Sequence, residues 1–313
     1  MTDYIMTGRA LAARCVDIAQ RYKTIYMYAC YGFQVTDATI KSKAAQNLNG
    51  WYTPANISKL EAVANQSPPV WGFDCVNLIK GVLWGWDGDV SKLHGGAVYA
   101  SNGIPDTNAD GMIKRCRGVS ADFGAVDVGE AVWMPGHIGV YIGDGLCVEC
   151  TPRWTDGVQI TAVLNIGKQD GFNGRRWEKH GKIPHVDYGD VTGEDETPDY
   201  ALGSRNLKRG CVGEDVRELQ RALQTLGYDI GASGADGEFG KATQKAVIAF
   251  QEAHGLEADG VFGPLSLDAL KDALAHTHEP EPEQTYTITI RGLSKAEADG
   301  LKSVYPNSEV VEE

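Results

Sequence analysis

The 313-residue sequence predicts an α+β N-terminal domain, an all-α three-helix module and a short βαβ C-terminal piece. Two polar breaks divide the chain, one of them acidic and the other rich in Pro and Glu. The first part shows a helical apolar stripe followed by strand-like alternation, and the middle part shows helical stripes alone. The expected boundaries are 1–186 for the first domain, 187–203 for an acidic linker, 204–274 for the module, 275–284 for a Pro/Glu linker and 285–313 for the last piece.

Composition and charge narrow the class of protein. Hydrophobic residues make up 42% of the chain and charged residues 23%, which supports a folded core and excludes a disordered or collagen-like chain. No apolar run approaches the roughly 20 residues of a membrane helix. The net charge of −13 argues against nucleic acid or an anionic membrane as partner. The seven cysteines are an odd number spread along the chain, which is typical of reduced thiols.

The start of the chain, MTDYIMTGRALAARCVD, lacks the basic segment, apolar segment and cleavage site of a secretion signal. We therefore expect synthesis in the cytoplasm without a signal peptide, and no membrane insertion.

The middle module carries an internal near-repeat. ADGEFG (235–240) and ADGVFG (258–263) each form a turn signal ahead of a helical pattern. Asp215 and Glu218 have the spacing of a capping box, and Pro264 is suited to a first helical position. The predicted buried stripes are Val216, Leu219, Leu223 and Leu226, then Ala242, Ala246, Val247 and Phe250, then Leu267, Leu270 and Leu274.

The module resembles the three-helix peptidoglycan-binding domain of many cell-wall hydrolases. The segments LKRGCVGEDVRELQRALQTLGY, DGEFGKATQKAVIAFQEAHGL and DGVFGPLSLDAL carry the resemblance, which spans 206–274. It implies that bacterial peptidoglycan is the partner. A helical spacer is the alternative interpretation.

The segment 285–313 predicts a strand at 286–290, a helix and a second strand at 308–311. Ser294 and Glu297 have capping-box spacing, and Leu293 could pack against the helix entry. A piece this short cannot hold a core of its own, so we expect it to dock or to pair with a second copy. A homodimer contact, an accessory wall contact and an inert tail all remain open.

The stretch WGFDCVNLIKGVLWGW (71–86) places Cys75 at the start of a helix, with Asp74 as its N-cap. The helix N-terminus favours the thiolate, whereas the Asp74 charge opposes it, so a nearby imidazolium would be needed. Cys75 is therefore a candidate nucleophile, and a small buried core cysteine is the alternative. The apolar positions that indicate this helix are Val76, Ile79, Leu83 and Trp86.

The stretch GEAVWMPGHIGVYIGDGLCVECTP (129–152) predicts a strand, His137 and a β-hairpin. Gly139 is expected to leave room beside His137 for a substrate backbone. A two-residue turn would place Glu149 on the face opposite His137, whereas a three-residue turn at 143–145 places it diagonal to His137. Thr151 lies on that face in the same register and is the fallback. Alternation places His137, Gly139 and Tyr141 on one face and Ile138, Val140 and Ile142 on the core face.

A helix-borne cysteine followed by a strand-borne histidine and acid is the arrangement of papain-like hydrolases. The two stretches resemble the NlpC-type family of papain-like cell-wall cysteine peptidases. The resemblance implies a helix bearing the nucleophile packed on an antiparallel sheet, with no cofactor. It implies hydrolysis of an amide bond in the peptidoglycan stem peptide, often between D-glutamate and a diamino acid. By this resemblance Cys75 is the nucleophile, His137 the general base and acid, and Glu149 the orienting residue.

The segment YMYACYG (26–32) resembles the upstream tyrosine motif of the same family. It nominates the Tyr26 hydroxyl, with the backbone N–H of Cys75, to hold the oxyanion. Trp51 and Tyr52 lie in a long insertion and could line a substrate groove, and Asp74 adjoins the nucleophile.

Departures from the family leave the scissile bond open. Val76-Asn77 stands where the family often has Ser-Gly, Glu149 stands where histidine is common, and the segment 33–70 is longer than usual.

We expect no metal site at three further patterns. The sulfurs of CVEC (147–150) should point to opposite faces of a strand. DTNADG (106–111) lacks the closing Glu of a calcium loop, because that position holds Arg117. The histidines without trusted ligand spacing are His180, His185, His276 and His278.

The sequence thus predicts an endolysin-like peptidoglycan hydrolase that reaches the cell wall when the host lyses. One alternative is an N-acetylmuramoyl-L-alanine amidase that uses the same residues. The other is a non-catalytic wall-binding or phage structural protein.

Overall fold

The computed structural model describes residues 5–46, 49–189, 200–276 and 294–304. Contacts group Met1–Leu274 into one compact unit and Ala275–Glu313 into a second. The helices are α1 (Gly8–Arg21), α2 (Asp37–Gln46), α3 (Pro54–Glu61), α4 (Cys75–Leu83), α5 (Ala109–Arg115), α6 (Glu214–Thr225), α7 (Lys241–Ala253), α8 (Pro264–His276) and α9 (Lys295–Val304). The strands are β1 (Met6–Thr7), β2 (Thr24–Tyr26), β3 (Tyr31–Gln34), β4 (Trp71–Phe73), β5 (Arg117–Ser120), β6 (Ala131–Met134), β7 (His137–Gly143), β8 (Leu146–Thr151), β9 (Gly157–Val163), β10 (Gly174–Arg175), β11 (Lys179–Lys182) and β12 (Val186–Asp187).

The N-terminal part is built on a sheet with strand order β10-β9-β8-β7-β6-β11-β5. Neighbouring strands within this sheet are antiparallel, except that β10 and β9 are parallel. A smaller sheet has the order β2-β4-β3, and β1 pairs with β12. Helix α4 packs on β7 and β8, and α1 packs on α4 and β7. The expected mixed architecture is therefore present, with the Cys75 helix lying on an antiparallel sheet.

The central hairpin follows the predicted alternation. Ile138, Val140 and Ile142 lie in the main core, which also contains the apolar residues of α4. Tyr141 lies in a second cluster on the other face, with Cys147 and Trp177 among its members. Both faces of the central strands are buried, so the hairpin is held firmly in place.

The β7–β8 pairing has the register that the sequence argument required. Gly139 lies opposite Glu149, and a register shift between Tyr141 and Gly143 accommodates the extra residue. The backbone φ angles of Gly143, Asp144 and Gly145 are +91°, +55° and +72°, a left-handed turn that favours glycine and aspartate. A β-bulge next to a tight turn therefore produces the register that was expected from a three-residue loop.

The middle part forms the three predicted helices α6, α7 and α8 around its own core. Its buried residues are Leu207, Cys211, Val216, Leu219, Leu223, Ile230, Phe239, Ala246, Val247, Phe250, Phe262 and Leu270. Pro264 is the first residue of α8, as predicted. Leu226, Ala242, Leu267 and Leu274, which the stripes also included, are only partly buried.

The near-repeat has a structural basis in two equivalent glutamines. The Gln220 side-chain amide donates to Asp236, to the Glu238 carbonyl and to Thr243, and its oxygen accepts the Gly237 N–H. Gln251 makes the same set of bonds with Asp259, Val261, Ser266 and Gly260. Each repeat turn is therefore closed by a buried glutamine from the preceding helix.

The predicted Asp215–Glu218 capping box is wrong. Helix α6 begins at Glu214, and its N-cap is Gly213, which makes no side-chain capping bond. Asp215 instead pairs with Arg205 at 2.7 and 3.0 Å, because a buried guanidinium requires a carboxylate that neutralises it and accepts its hydrogen bonds.

The three-helix module contacts the N-terminal sheet within the same compact unit. Asp144, at the tip of the β7–β8 hairpin, accepts from Arg209 Nη2 at 3.1 Å and from the Lys241 backbone N–H at 2.8 Å. Arg209 also donates to Gln169 at 3.0 Å. An ion pair joins Arg9 of α1 to Glu238 of the module. The described ends of the predicted linker are also anchored, since Tyr188 donates to the Gly129 carbonyl and Tyr200 packs on Arg21 and Arg205.

In the second unit, Glu297 accepts from the Ser294 N–H at 2.8 Å and from its hydroxyl at 2.6 Å, so the predicted capping pair is present at the start of α9. Leu293 and the predicted strands at 286–290 and 308–311 lie outside the described residues, and homodimerisation through this piece stays a prediction. Within the described ranges, no helix is both long and apolar enough to cross a membrane.

Candidate active site

Cys75 is the first residue of α4, and Asp74 is its N-cap as predicted. One carboxylate oxygen of Asp74 accepts the Asn77 backbone N–H at 2.8 Å, and the other accepts the Ala29 N–H at 2.8 Å and the Asn77 amide at 2.6 Å. Asp74 is 4% exposed, so its oxygens are occupied by the protein itself. Its geometry indicates a positioning role, in which it joins the Cys75 helix to the loop between β2 and β3.

The Cys75 thiol is protonated at neutral pH. Burial, and then the Asp74 charge, raise its pKa to about 12. Backbone N–H groups of Ile138, Val76 and Cys75 itself oppose this shift without overcoming it. The expectation that the helix terminus favours the thiolate is thus outweighed by burial, and a base must remove the proton when the sulfur reacts.

The sulfur lies against the backbone on both sides of His137. Cys75 Sγ is 4.0 Å from the Gly136 carbonyl oxygen, and the N–H of Ile138 faces it. Helix α4 and strand β7, which carry the two candidate residues, therefore meet at the position where β7 begins.

Glu149 orients His137. Its Oε2 lies 2.6 Å from His137 Nε2 across the β7–β8 pair. A carboxylate accepts from a protonated ring nitrogen, so Nε2 carries hydrogen and Nδ1 is left with its lone pair. Trp177 stacks on the imidazole, with a centroid distance of 5.5 Å and an interplanar angle of 11°. The ring is thus held in one orientation and one tautomer.

Glu149 is itself surrounded by donors that the sequence argument missed. Its side chain has no exposed surface. Arg175 Nη2 lies 2.7 Å from Oε2, Arg175 Nε lies 3.2 Å from Oε1, and the Thr161 hydroxyl donates to Oε1 at 2.6 Å. Only the strand order β10-β9-β8 brings these residues together, so no local motif could have revealed them.

One expectation near His137 is wrong. Gly139 leaves no room for a substrate backbone, because a Cβ there would lie 2.8 Å from the Val148 carbonyl and 3.3 Å from Glu149 Cβ. Its small size instead lets Glu149 and Trp177 pack against β7. Thr151, the fallback orienting residue, is buried and lies near Arg175 Nη2 at 3.5 Å.

The Tyr26 hydroxyl lies near the sulfur. Burial, followed by the nearby Cys75 and Asp74, raises the pKa of Tyr26, so the phenol keeps its proton and can donate. The Tyr26 backbone N–H is fixed by Asp156 at 3.0 Å, and its ring packs on Trp51 at 5.6 Å. Tyr52 is buried, and its hydroxyl donates to the Tyr28 carbonyl at 2.7 Å. This bond holds the Tyr28 backbone in place.

A cleft of about 710 Å³ opens at Cys75. Tyr26, Lys43, Asp110 and Gly136 are among the residues that line it. Asp110 is a further residue that the sequence argument did not assign. Its Oδ1 accepts the Gly136 N–H at 2.8 Å and Trp133 Nε1–H at 3.0 Å, which fixes the turn immediately before His137.

The rejected patterns have structural roles. Cys150 lies in the main core and Cys147 in the cluster on the other face, as expected for alternate strand positions. Asn108, within DTNADG, caps α5 by accepting the Gly111 N–H at 2.7 Å. Among the described residues, no group of three His, Cys, Asp or Glu side chains is arranged to hold a metal.

Comparison with known proteins identifies the middle module. A family model described as a peptidoglycan binding domain matches residues 212–270. The match lies within the predicted module 204–274 and supports its resemblance to a peptidoglycan-binding domain.

Several similar proteins are named as a lytic enzyme, an amidase or a carboxypeptidase. The chain is 41% identical over 93 residues to the spore cortex-lytic enzyme of Oceanobacillus iheyensis, covering 30% of this chain and 33% of that protein. It is 41% identical over 69 residues to a protein of Bacillus licheniformis named probable N-acetylmuramoyl-L-alanine amidase, covering 22% of this chain and 20% of that protein. It is 46% identical over 69 residues to the zinc D-Ala-D-Ala carboxypeptidase of Streptomyces albus G, covering 21% and 26%.

One solved structure in this group is the SleB N-terminal domain, at 40% identity and a TM-score of 0.22, with 23% of this chain and 97% of that chain covered. The chain therefore spans about a third or less of the length of each of these curated relatives.

Proposed function

We propose that this protein is a peptidoglycan hydrolase in which Cys75 is the nucleophile, His137 the general base and acid, and Glu149 the orienting residue. The observation that carries the proposal is the 2.6 Å contact between His137 Nε2 and Glu149, beside a helix-terminal Cys75 whose sulfur lies 4.0 Å from the Gly136 carbonyl. The peptidoglycan-binding module supports the choice of substrate, and the names of the relatives agree with it.

The first half of the reaction forms a thioester. His137 Nδ1 removes the thiol proton while Cys75 Sγ attacks the amide carbon, which avoids a free thiolate of high pKa. The negative charge that develops on the carbonyl oxygen is held by the Cys75 backbone N–H and the Tyr26 hydroxyl. The C–N bond then breaks, and the imidazolium returns its proton to the leaving amine.

The second half restores the enzyme. Water gives a proton to His137 Nδ1 and attacks the thioester carbon, and the C–S bond breaks. The stem-peptide acid leaves, and the proton returns to Cys75. Glu149 accepts from Nε2–H throughout and stabilises the imidazolium in both halves.

The scissile bond we favour is D-glutamyl–diamino acid, in keeping with the NlpC-type, papain-like resemblance of the two catalytic stretches. Cleavage of the sugar–peptide amide is the second candidate, because relatives of the chain are named N-acetylmuramoyl-L-alanine amidases. Release at host lysis, as in an endolysin, stays a prediction.

Mass spectrometry of purified wall digested by the full-length protein tests the proposal. New α-amino ends on the diamino acid support the endopeptidase, whereas intact released stem peptides support the amidase. Cys75→Ala should abolish both products while wall binding is retained. Unchanged digestion by Cys75→Ala would contradict the mechanism, and absence of any digestion by the wild-type protein would favour a non-catalytic wall-binding role.

A further inference from the structure

We propose that Arg175 is a positioning residue that keeps Glu149 ionised and aligned, so that His137 remains an unprotonated base. The inference rests on the proposed function. It concerns a residue on the short edge strand β10, which no motif connects with Cys75 or His137.

Burial of Glu149 creates the need for a counter-charge. A carboxylate with no exposed surface loses its hydration, and this loss is tolerated only when the charge is paired and fully hydrogen-bonded. Thr161 and His137 supply one contact to each oxygen. Without a cation, a proton on either the carboxylate or the imidazole would relieve the buried charge.

Arg175 supplies that cation in a two-pronged geometry. Nη2 lies 2.7 Å from one Glu149 oxygen and Nε lies 3.2 Å from the other, the arrangement that suits a planar guanidinium. Its guanidinium also lies over the rings of Trp154 and Trp177, at 5.1 and 5.5 Å. Because Trp177 stacks on His137, the same packing holds the arginine, the glutamate contact and the imidazole in place.

The backbone brings Arg175 close enough for this contact. Gly174 pairs with Ala162 of β9, and a Cβ on Gly174 would lie 2.7 Å from the Ala162 carbonyl. The close approach places Arg175 next to β9, from which Thr161 also reaches Glu149. Arg176, the next residue, is exposed and provides a matched control for the same change of charge.

The effect on protonation has a definite sign. A guanidinium beside the pair opposes a second positive charge, so its removal favours the imidazolium or the protonated carboxylate. The other titratable groups near the cluster are Cys75 and its N-cap Asp74, Asp110 of α5, Cys147 and Cys150 of β8, Tyr26 of β2, and Arg153. Arg153 is the cation of this set, and its guanidinium lies over the Trp154 ring at 4.8 Å, whereas Arg175 contacts Glu149 itself.

The test is NMR titration of the His137 ring in the full-length protein, assigned with a His137→Gln variant. In Arg175→Gln the midpoint of the ring titration should move to higher pH, because a neighbouring positive charge is removed, and it should stay in place in Arg176→Gln. If the midpoint is unmoved in an Arg175→Gln protein with native hydrogen exchange in β7 and β8, the proposal is overturned. The NMR measurement does not require activity, so its result does not depend on whether the proposed reaction occurs.

The conservative variant covers the case in which Arg175→Gln does not fold. Arg175→Lys keeps the charge and loses the two-pronged contact, so kcat should fall while the acid limb of the pH profile stays near its wild-type position. If the acid limb of the Arg175→Lys pH profile moves to higher pH, the proposed role of the Arg175 charge is contradicted.

Discussion

At the scale of single residues, the proposed chemistry depends on a thiol that keeps its proton and an imidazole that must accept it. Cys75 is buried beside Asp74 and holds its proton, so it is inert until a base acts. His137 has one nitrogen committed to Glu149, which leaves the other free to accept that proton. A resting thiol also protects the protein from adventitious oxidation, because the thiolate is the reactive form.

The raised pKa predicts the pH dependence of alkylation. Between pH 6 and pH 10 the rate of Cys75 modification by iodoacetamide should rise steadily, since the thiolate fraction grows until the pH reaches about 12. Mass spectrometry of the Cys75 peptide gives the rate. A rate that is already constant below pH 7 would indicate a preformed thiolate–imidazolium pair and would contradict the account.

Asp74→Asn removes the charge of the cap and keeps one oxygen for the Asn77 N–H, but loses the bonds that the other oxygen accepts from Ala29 and the Asn77 amide. Asparagine caps helices well, so α4 should remain intact. Removal of the negative charge lowers the thiol pKa, and alkylation at pH 8 should become several-fold faster. Slower alkylation would show that Asp74 affects the thiol mainly by positioning it rather than through its charge.

At the scale of elements, local periodicity predicted individual helices and strands but not the contacts between distant strands. The α4 helix, its N-cap, the β7–β8 alternation and the three module helices all follow from neighbours in sequence. The sequence allowed two registers of the β7–β8 hairpin, and the structure has the one that the catalytic hypothesis required.

What the sequence could not show depends on sheet order and burial. Arg175 reaches Glu149 only because β10 adds to the edge of β9, and Asp110 reaches Gly136 from a separate helix. The Asp215 capping box failed because buried Arg205 competed for the carboxylate. Gly139 was assigned to substrate because the position of Trp177 was unknown.

The two repeat turns of the module predict a matched pair of variants. Gln220→Ala and Gln251→Ala each leave buried groups without a partner and should lower the free energy of unfolding of the module by about 1–3 kcal/mol. Gln224→Ala, at an exposed position of the same helix as Gln220, should have little effect. Urea unfolding followed by circular dichroism measures the change. Equal stability of all three variants would show that the glutamines do not hold the turns.

At the scale of the whole molecule, the wall-binding module is docked within Met1–Leu274 rather than attached through its linker alone. Asp144 contacts both Arg209 and the start of α7, and Gly210 closely approaches Ile142 of β7. A fixed module would hold the cleft at a set orientation to the bound wall, whereas a loose tether would only raise the local concentration of substrate.

Docking can be tested by loosening the interface. Asp144→Asn keeps a residue that tolerates positive φ, and with Arg209→Gln it removes both charges of the contact. Small-angle X-ray scattering should show a larger maximum dimension for this double variant than for the wild type or for Glu257→Gln, a change at an exposed site of the module. Identical scattering curves for all three proteins would mean that these charges do not hold the docked state.

The most direct test of the central claim is acid-quenched mass spectrometry of the full-length protein during digestion of soluble wall fragments. The account predicts a thioester adduct on the Cys75 peptide, with the mass of the acyl part of the cleaved stem peptide, and its loss in His137→Gln. Product formation by a Cys75→Ala protein, with no adduct on any cysteine of the wild type, would contradict the account.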